Sequence, residues 1–338
     1  MHLSCDVARI SLIRLSFDWR NPDSSQMITD IPTSKDFQES GIGFLNLAWD
    51  NAITLLQDLD EWNISDFDDD GEIQKDYWAS AQRLLATALA LTQQGIEMLL
   101  KARVAEASVF LLVSGEPRYW PHGCNIHDVP FADFRTIDAQ DLIRVHDTVC
   151  TMRLSDDFKA TFEKMRRLRN SVFHTVDRRV KVKVDDILRS ILFASEILIG
   201  PQKWVSLRRE FISASPNSVP NGGDFADALL IRELHQATQR LTNAETERFI
   251  GLKQKQRRYL CCLCERNCGE IGLEGRAKFA QLVPNEPTST VLHCYACGFD
   301  TLVVRMQCVR EKCKSNVLES EYGVCCVCFK PQDDWPPS

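Results

Sequence analysis

Residues 166–175 read RRLRNSVFHT, and the reading of this stretch decides what the helical half of the chain is. It closes a segment, Ser155 to His174, that a Ser-Asp-Asp sequence opens as a capped helix. At about 100° per residue, Phe158, Phe162, Met165, Arg169 and Val172 share one side, and Glu163, Arg167, Asn170 and His174 share the other. Arg169 is thereby expected to face the core, and His174 sits too far around a straight helix to meet it. Two resolutions are open. In the first, Arg169 is a buried ion-pair partner, for example of Glu97 in the apolar run GIEMLLKA, and His174 is a favourable cation at a helix C-terminus. In the second, the side bearing Arg169 lines a groove, the helix end unwinds, and a second copy of the chain completes a site.

The flanking sequence is helical in pattern. From Gly43 to Trp62, Phe44, Leu47, Ala48, Leu55, Leu56 and Leu59 recur at helical spacing. Tyr77 to Val113 runs without Pro and is rich in Ala and Leu, with Gly95 as a kink between two helical halves. Residues 114–134 hold three Pro and two Gly and read as an ordered loop; helix resumes over Asp138–Cys150 and again over Val184–Ser213. This half shows no strand pattern, and residues 1–40 receive no firm structure. SASPNSVPNGGD at 213–224 concentrates linker residues, so a boundary is placed at 214–224. In the connector that follows, residues 225–258, Leu230, Leu234, Ala237, Leu241 and Ala244 hold a coiled-coil spacing for only about two heptads. That is too short to define a dimerisation helix.

LRNSVFHT at a helix end resembles the Arg-x4-His signature of the HEPN superfamily, with Asn170 as the polar residue that commonly follows the Arg. The likeness continues in GIEMLLKARV upstream and in VDDILRSILFASEILIGPQKWVSLRREF downstream, and it covers roughly residues 43–213. It implies an all-α bundle over residues 41–213, commonly dimeric. Many members are metal-independent endoribonucleases of toxin–antitoxin, abortive-infection or CRISPR systems, and other members lack nuclease activity. Carried over, Arg169 stabilises phosphorane-like charge, His174 transfers protons and Asn170 orients substrate or His174. The cations from Lys159 to Lys183, against only Glu163 and Asp177 in that run, would attract RNA phosphate. Some HEPN toxins carry Tyr two residues beyond the His, the position their antitoxins modify; here it is Val176, so silencing by that route is not implied.

Of 14 Cys, 11 fall between residues 261 and 328. Cys261-x2-Cys264, Cys294-x2-Cys297, Cys308-x4-Cys313 and Cys325-x2-Cys328 supply ligands for two structural, tetrahedral all-thiolate Zn²⁺ sites. The simplest grouping is sequential, with Cys261, Cys264, Cys294 and Cys297 in one site and Cys308, Cys313, Cys325 and Cys328 in the other; an interleaved one is the alternative. Cys262, Cys268, Cys326 and His293 are spare, and Cys268 or His293 is an alternative ligand. Gly298 suits a zinc knuckle. The fold expected is therefore mainly α, an HEPN-like helical bundle followed by a small zinc-ribbon region over residues 259–330. Arg248, Lys253, Lys255, Arg257 and Arg258, just upstream, favour a polyanion contact.

The net charge of −7 over 338 residues excludes a protein that coats nucleic acid or membrane along its whole length. Arg9 and Arg14 interrupt the only apolar run near the N-terminus, which argues against a signal peptide or membrane span and for a cytoplasmic location. DFDDDG at 66–71 mimics the start of a calcium loop, but its twelfth position is Tyr77 rather than Glu, so it is taken as an acidic turn. The reading is a metal-independent RNase in a homodimer, with RNA and an antitoxin or defence-system protein as partners. Its rivals are a non-catalytic HEPN protein that binds RNA or nucleotide, and a zinc-ribbon interaction module on a helical dimerisation platform.

Overall fold

The computed structural model describes residues 27–62, 68, 71–173, 181–221, 223–270, 278–333 and 335. They fall into two compact units. The smaller joins residues 27–31 to 113–136. In it β1 (Ile28–Thr29) pairs in parallel with β2 (Val129–Pro130), and Trp120 packs edge-on against Phe134. No strand was expected in this half, because a two-residue pairing is too short to show alternation.

The larger unit is mainly helical. Its core is the antiparallel pair α1 (Ser34–Glu61) and α3 (Gln82–Ala107), with the short α2 (Glu72–Ser80) between them in sequence. Helix α1 starts nine residues before Gly43, the first residue of the periodic run. The cause is a capping box, in which the Thr33 hydroxyl accepts from the Asp36 amide and the Asp36 carboxylate accepts from the Thr33 amide. The long apolar run breaks at Ala81, and Gly95 lies inside an unbroken α3. Gly95 is instead where the helices touch: a Cβ there would lie 2.7 Å from Leu45 Cδ2, and one at Gly41 would lie 2.8 Å from Leu99 Cγ. Asp68 accepts from the amides of Ile73 and Gln74, at 3.1 and 2.9 Å, and so caps α2. Asp66 and Asp70 of the acidic turn lie outside the described residues.

Around this pair pack α4 (Ala139–Val149), α5 (Asp156–Phe173), α6 (Val184–Leu198), α7 (Trp204–Ser213) and α9 (Gly223–Arg240), with Trp49 against Trp204 at 5.2 Å. Ser155 caps α5 by accepting from the Phe158 amide at 3.2 Å. The 214–224 stretch carries the four-residue α8 (Ser218–Asn221). Buried Leu230, Leu234 and Ala237 of α9 pack within this same unit, against α1 and α7. Helix α10 (Asn243–Ile250) leads to α11 (Cys262–Glu270), and a four-stranded antiparallel meander follows: β3 (Ala280–Leu282), β4 (Val291–Cys294), β5 (Asp300–Val304) and β6 (Leu318–Glu319).

Candidate metal centres and the Arg169 helix end

The eight paired cysteines gather in two groups, Cys261, Cys264, Cys294 and Cys297 in one and Cys308, Cys313, Cys325 and Cys328 in the other. Within each group the four sulfurs lie within 4.8 Å of one another. Cys261 and Cys264 enter α11, Cys294 ends β4 and Cys297 occupies the turn after it. That turn closes with the Gly298 amide donating to the Cys294 carbonyl at 2.8 Å, Gly298 standing at φ +73°. The second centre repeats the device: the Phe329 amide donates to the Cys325 carbonyl at 2.9 Å, with Phe329 at φ 53°. Each turn aims two sulfurs at one point.

The spacing fits a tetrahedral thiophilic ion. Sulfurs about 2.3 Å from a central Zn²⁺ stand about 3.8 Å apart along a tetrahedral edge. The observed separations are 3.8 Å for Cys261–Cys297, 3.7 Å for Cys264–Cys294, 3.9 Å for Cys308–Cys328 and 3.7 Å for Cys313–Cys325. These are far too long for disulfides, whose sulfurs sit about 2 Å apart. Such crowding sets the thiols of each group against one another. Hydrogen bonds from Cys264, Cys294 and Cys297 push the Cys261 thiol well below its ordinary value, while bonding to Cys261 pushes Cys264 well above. At the second centre, burial pushes the Cys328 thiol up to about 12. Burial also opposes ionisation of Cys325, but backbone donors, led by Cys328, outweigh it and bring that thiol down to about 7. Packed at this distance, four thiols ionise together only around a cation.

The spare residues lie outside both groups. Cys262 and Cys326 are buried, and the Cys326 thiol is pushed up first by hydrogen bonding to Cys262. Burial pushes Cys268 up to about 11. His293 Nδ1 meets Asp300 Oδ1 at 2.6 Å.

Arg169 does not face the core. Phe158, Phe162 and Met165 are buried as the periodicity requires, but Arg169 is exposed one turn further on, where Val172 is only half-buried. The last turn of α5 has run past the packed layer. Arg169 Nη1 donates to Asn170 Oδ1 at 3.1 Å. Glu97 instead accepts from Gln93 Nε2 at 3.1 Å and acts electrostatically on Arg166, which is paired first with Glu163. His174 lies outside the described residues.

Much of the basic run on α5 is neutralised. Lys159 pairs with Asp147 at 2.6 Å, Lys164 with Asp186 at 3.4 Å, and Arg166 and Arg167 both with Glu163, at 2.9 and 2.8 Å. Asp147 and Asp186 come from outside the basic segment, so the run alone overstated its charge. Lys253, Lys255 and Arg257 are exposed, and Arg257 Nη1 donates to the Lys314 carbonyl at 3.4 Å.

Fold and site together define a mainly helical protein with two four-cysteine groups able to hold metal ions, and among the described residues no helix is long and apolar enough to cross a membrane. No protein-family model, curated protein or solved structure matches the chain.

Proposed function

We propose that the chain is a metal-independent endoribonuclease of HEPN type, working as a cytoplasmic homodimer in phage defence or a toxin–antitoxin pair. Two structural Zn²⁺ ions hold its C-terminal segment in shape. The observation that carries this reading is the exposure of Arg169 beside Asn170 at the end of α5. An exposed guanidinium presents a planar fork of donors that matches phosphate oxygens, and this position is not the buried pairing with Glu97.

In the proposed reaction the ribose 2′-oxygen forms a bond to the adjacent phosphorus and the bond from phosphorus to the 5′-oxygen breaks. His174 takes the 2′-hydroxyl proton while water protonates the departing 5′-oxygen, or supplies the latter proton while water takes the former. Arg169 offsets the charge that builds on the phosphoryl oxygens, and Asn170 orients substrate or His174. Exposed Lys253, Lys255 and Arg257 support RNA attraction near the cysteine-rich segment, whereas Lys159 and Lys164 of α5 are already paired with Asp147 and Asp186. The zinc ions supply folding free energy here and no reaction step.

A second reading, a zinc-held protein-interaction module, draws on a different observation: Phe299, Leu302, Val304 and Met306 are exposed along and beside β5. Incubation of mixed cellular RNA with the protein in EDTA separates the two, provided bound metal is assayed before and after. The nuclease reading expects cleavage by wild type and at least a hundredfold loss in both Arg169→Ala and His174→Ala. Equal activity in wild type and variants, or none in either, sinks it.

A further inference from the structure

We infer that Arg209, Asp227 and Asn267 form an outer sphere of the first four-cysteine centre and couple metal held there to the helical bundle. The inference rests on the reading of both groups as metal centres. Its basis is one continuous chain of hydrogen bonds. Arg209, on α7, donates through Nη1 to the carbonyl of Cys297 at 3.2 Å. Its other two nitrogens grip both oxygens of Asp227, on α9, at 2.6 and 3.0 Å. Asp227 is buried, and it also accepts from Asn267 Nδ2 at 3.3 Å. Asn267 is itself buried and sits on α11, three residues past Cys264. Both cysteine-bearing elements of the centre, the knuckle of Cys297 and the helix of Cys264, are thus tied to the same carboxylate and guanidinium.

The chemistry gives the arrangement a purpose. Four thiolates around a divalent ion carry net negative charge, and a buried carboxylate alone beside them would add to it. Arg209 offsets Asp227 and fixes the carbonyl of a ligating residue, as second-shell partners do when they orient metal ligands. The second centre has a different surrounding. Leu318, Val327 and Trp335 pack against it, and Gln332 Nε2 approaches Cys308 Sγ at 3.7 Å, all from the C-terminal segment.

Cobalt(II) titration of the full chain tests the inference, read by thiolate-to-metal charge-transfer absorption with a competing chelator. Wild type takes up two equivalents. In Arg209→Met one equivalent weakens about 10- to 100-fold and the other is unchanged; Arg209→Lys, which keeps the charge without the fork, falls between. In a Cys325→Ser background, which leaves only the first centre, Arg209→Met still weakens binding, and in a Cys297→Ser background it has no effect. Should Arg209→Met fail to fold, Asn267→Leu carries the test with a loss at the same single equivalent. Two equivalents that weaken together, or neither weakening, overturn the inference. No cobalt uptake by wild type overturns instead the metal reading beneath it.

Discussion

Arg208 on α7 meets both carboxylate oxygens of Glu233 on α9, at 2.7 and 2.8 Å, with both side chains buried. Asn46 accepts from Arg208 Nη1 at 3.1 Å, Asp50 takes Nη2, and Trp49 Nε1 donates to Glu233 at 3.0 Å, so α1 is drawn into the same network. Every charge in it has a partner, and removing one side strands the other. Arg208→Met should cost about 3–5 kcal/mol in chemical denaturation, and adding Glu233→Leu should restore part of that by removing the orphaned charge. A double variant less stable than the single one would contradict this account.

The α1–α3 crossing predicts opposite outcomes for Gly43 on α1 and Gly95 on α3. Gly43 has open space where a Cβ would go, whereas Gly41 and Gly95 have neighbours closer than a Cβ tolerates. Gly43→Ala should stabilise the protein by up to about 1 kcal/mol through helix propensity. Gly95→Ala should destabilise it despite the same propensity gain, because Leu45 and the Gly41 backbone must move. Thermal melts of both variants decide the matter.

Asp147 predicts a window of acid sensitivity. Burial opposes its ionisation, yet Lys159, the Leu154 amide and His146 outweigh that and hold its carboxyl down to about 2 from its ordinary 3.8. A depressed folded-state pKa contributes stability above the unfolded value and loses it as pH falls toward the folded one. The stability gap between wild type and Asp147→Asn should therefore be full above about pH 4 and close toward about pH 2. A gap that does not change across that range would mean that the Asp147 charge contributes nothing.

The two cysteine groups predict independent losses of metal. Cys261→Ser and Cys308→Ser should each lower bound metal from two ions per chain to one, read by native mass spectrometry. Structural all-thiolate sites contribute about 10 kcal/mol or more of apparent folding free energy, so chelation should also abolish protease resistance of the β3–β6 segment. Retention of two ions in either variant would mean that the sulfur groups are misassigned.

What the sequence disclosed follows from the range of each signal. Helices came through wherever apolar spacing ran uninterrupted, as in α5 with Phe158, Phe162 and Met165, and short Cys-x-x-Cys spacings marked the cysteine turns because their chemistry is local. Arg169 was misplaced because a wheel assumes that the packed layer extends as far as the helix does. The Thr33–Asp36 capping box that starts α1 is a local signal, but the Pro and Ser breaks around it carry no helical periodicity to mark it. Gly95 looked like a kink because a helix contact at Gly41 is invisible in one segment. The neutralising role of Asp147 and Asp186, and the Arg209–Asp227–Asn267 chain, join residues far apart in sequence, and periodicity carries no information about such pairs.

The functional claim stands or falls on the ends of the RNA it produces. Oligonucleotide cleaved by the protein in EDTA should carry 2′,3′-cyclic phosphate on the upstream fragment and a 5′-hydroxyl on the downstream one, as attack by the substrate's own 2′-oxygen requires. Fragments ending in 3′-hydroxyl, or cleavage that persists on 2′-deoxy substrate, would contradict that chemistry and with it the proposed roles of Arg169, Asn170 and His174.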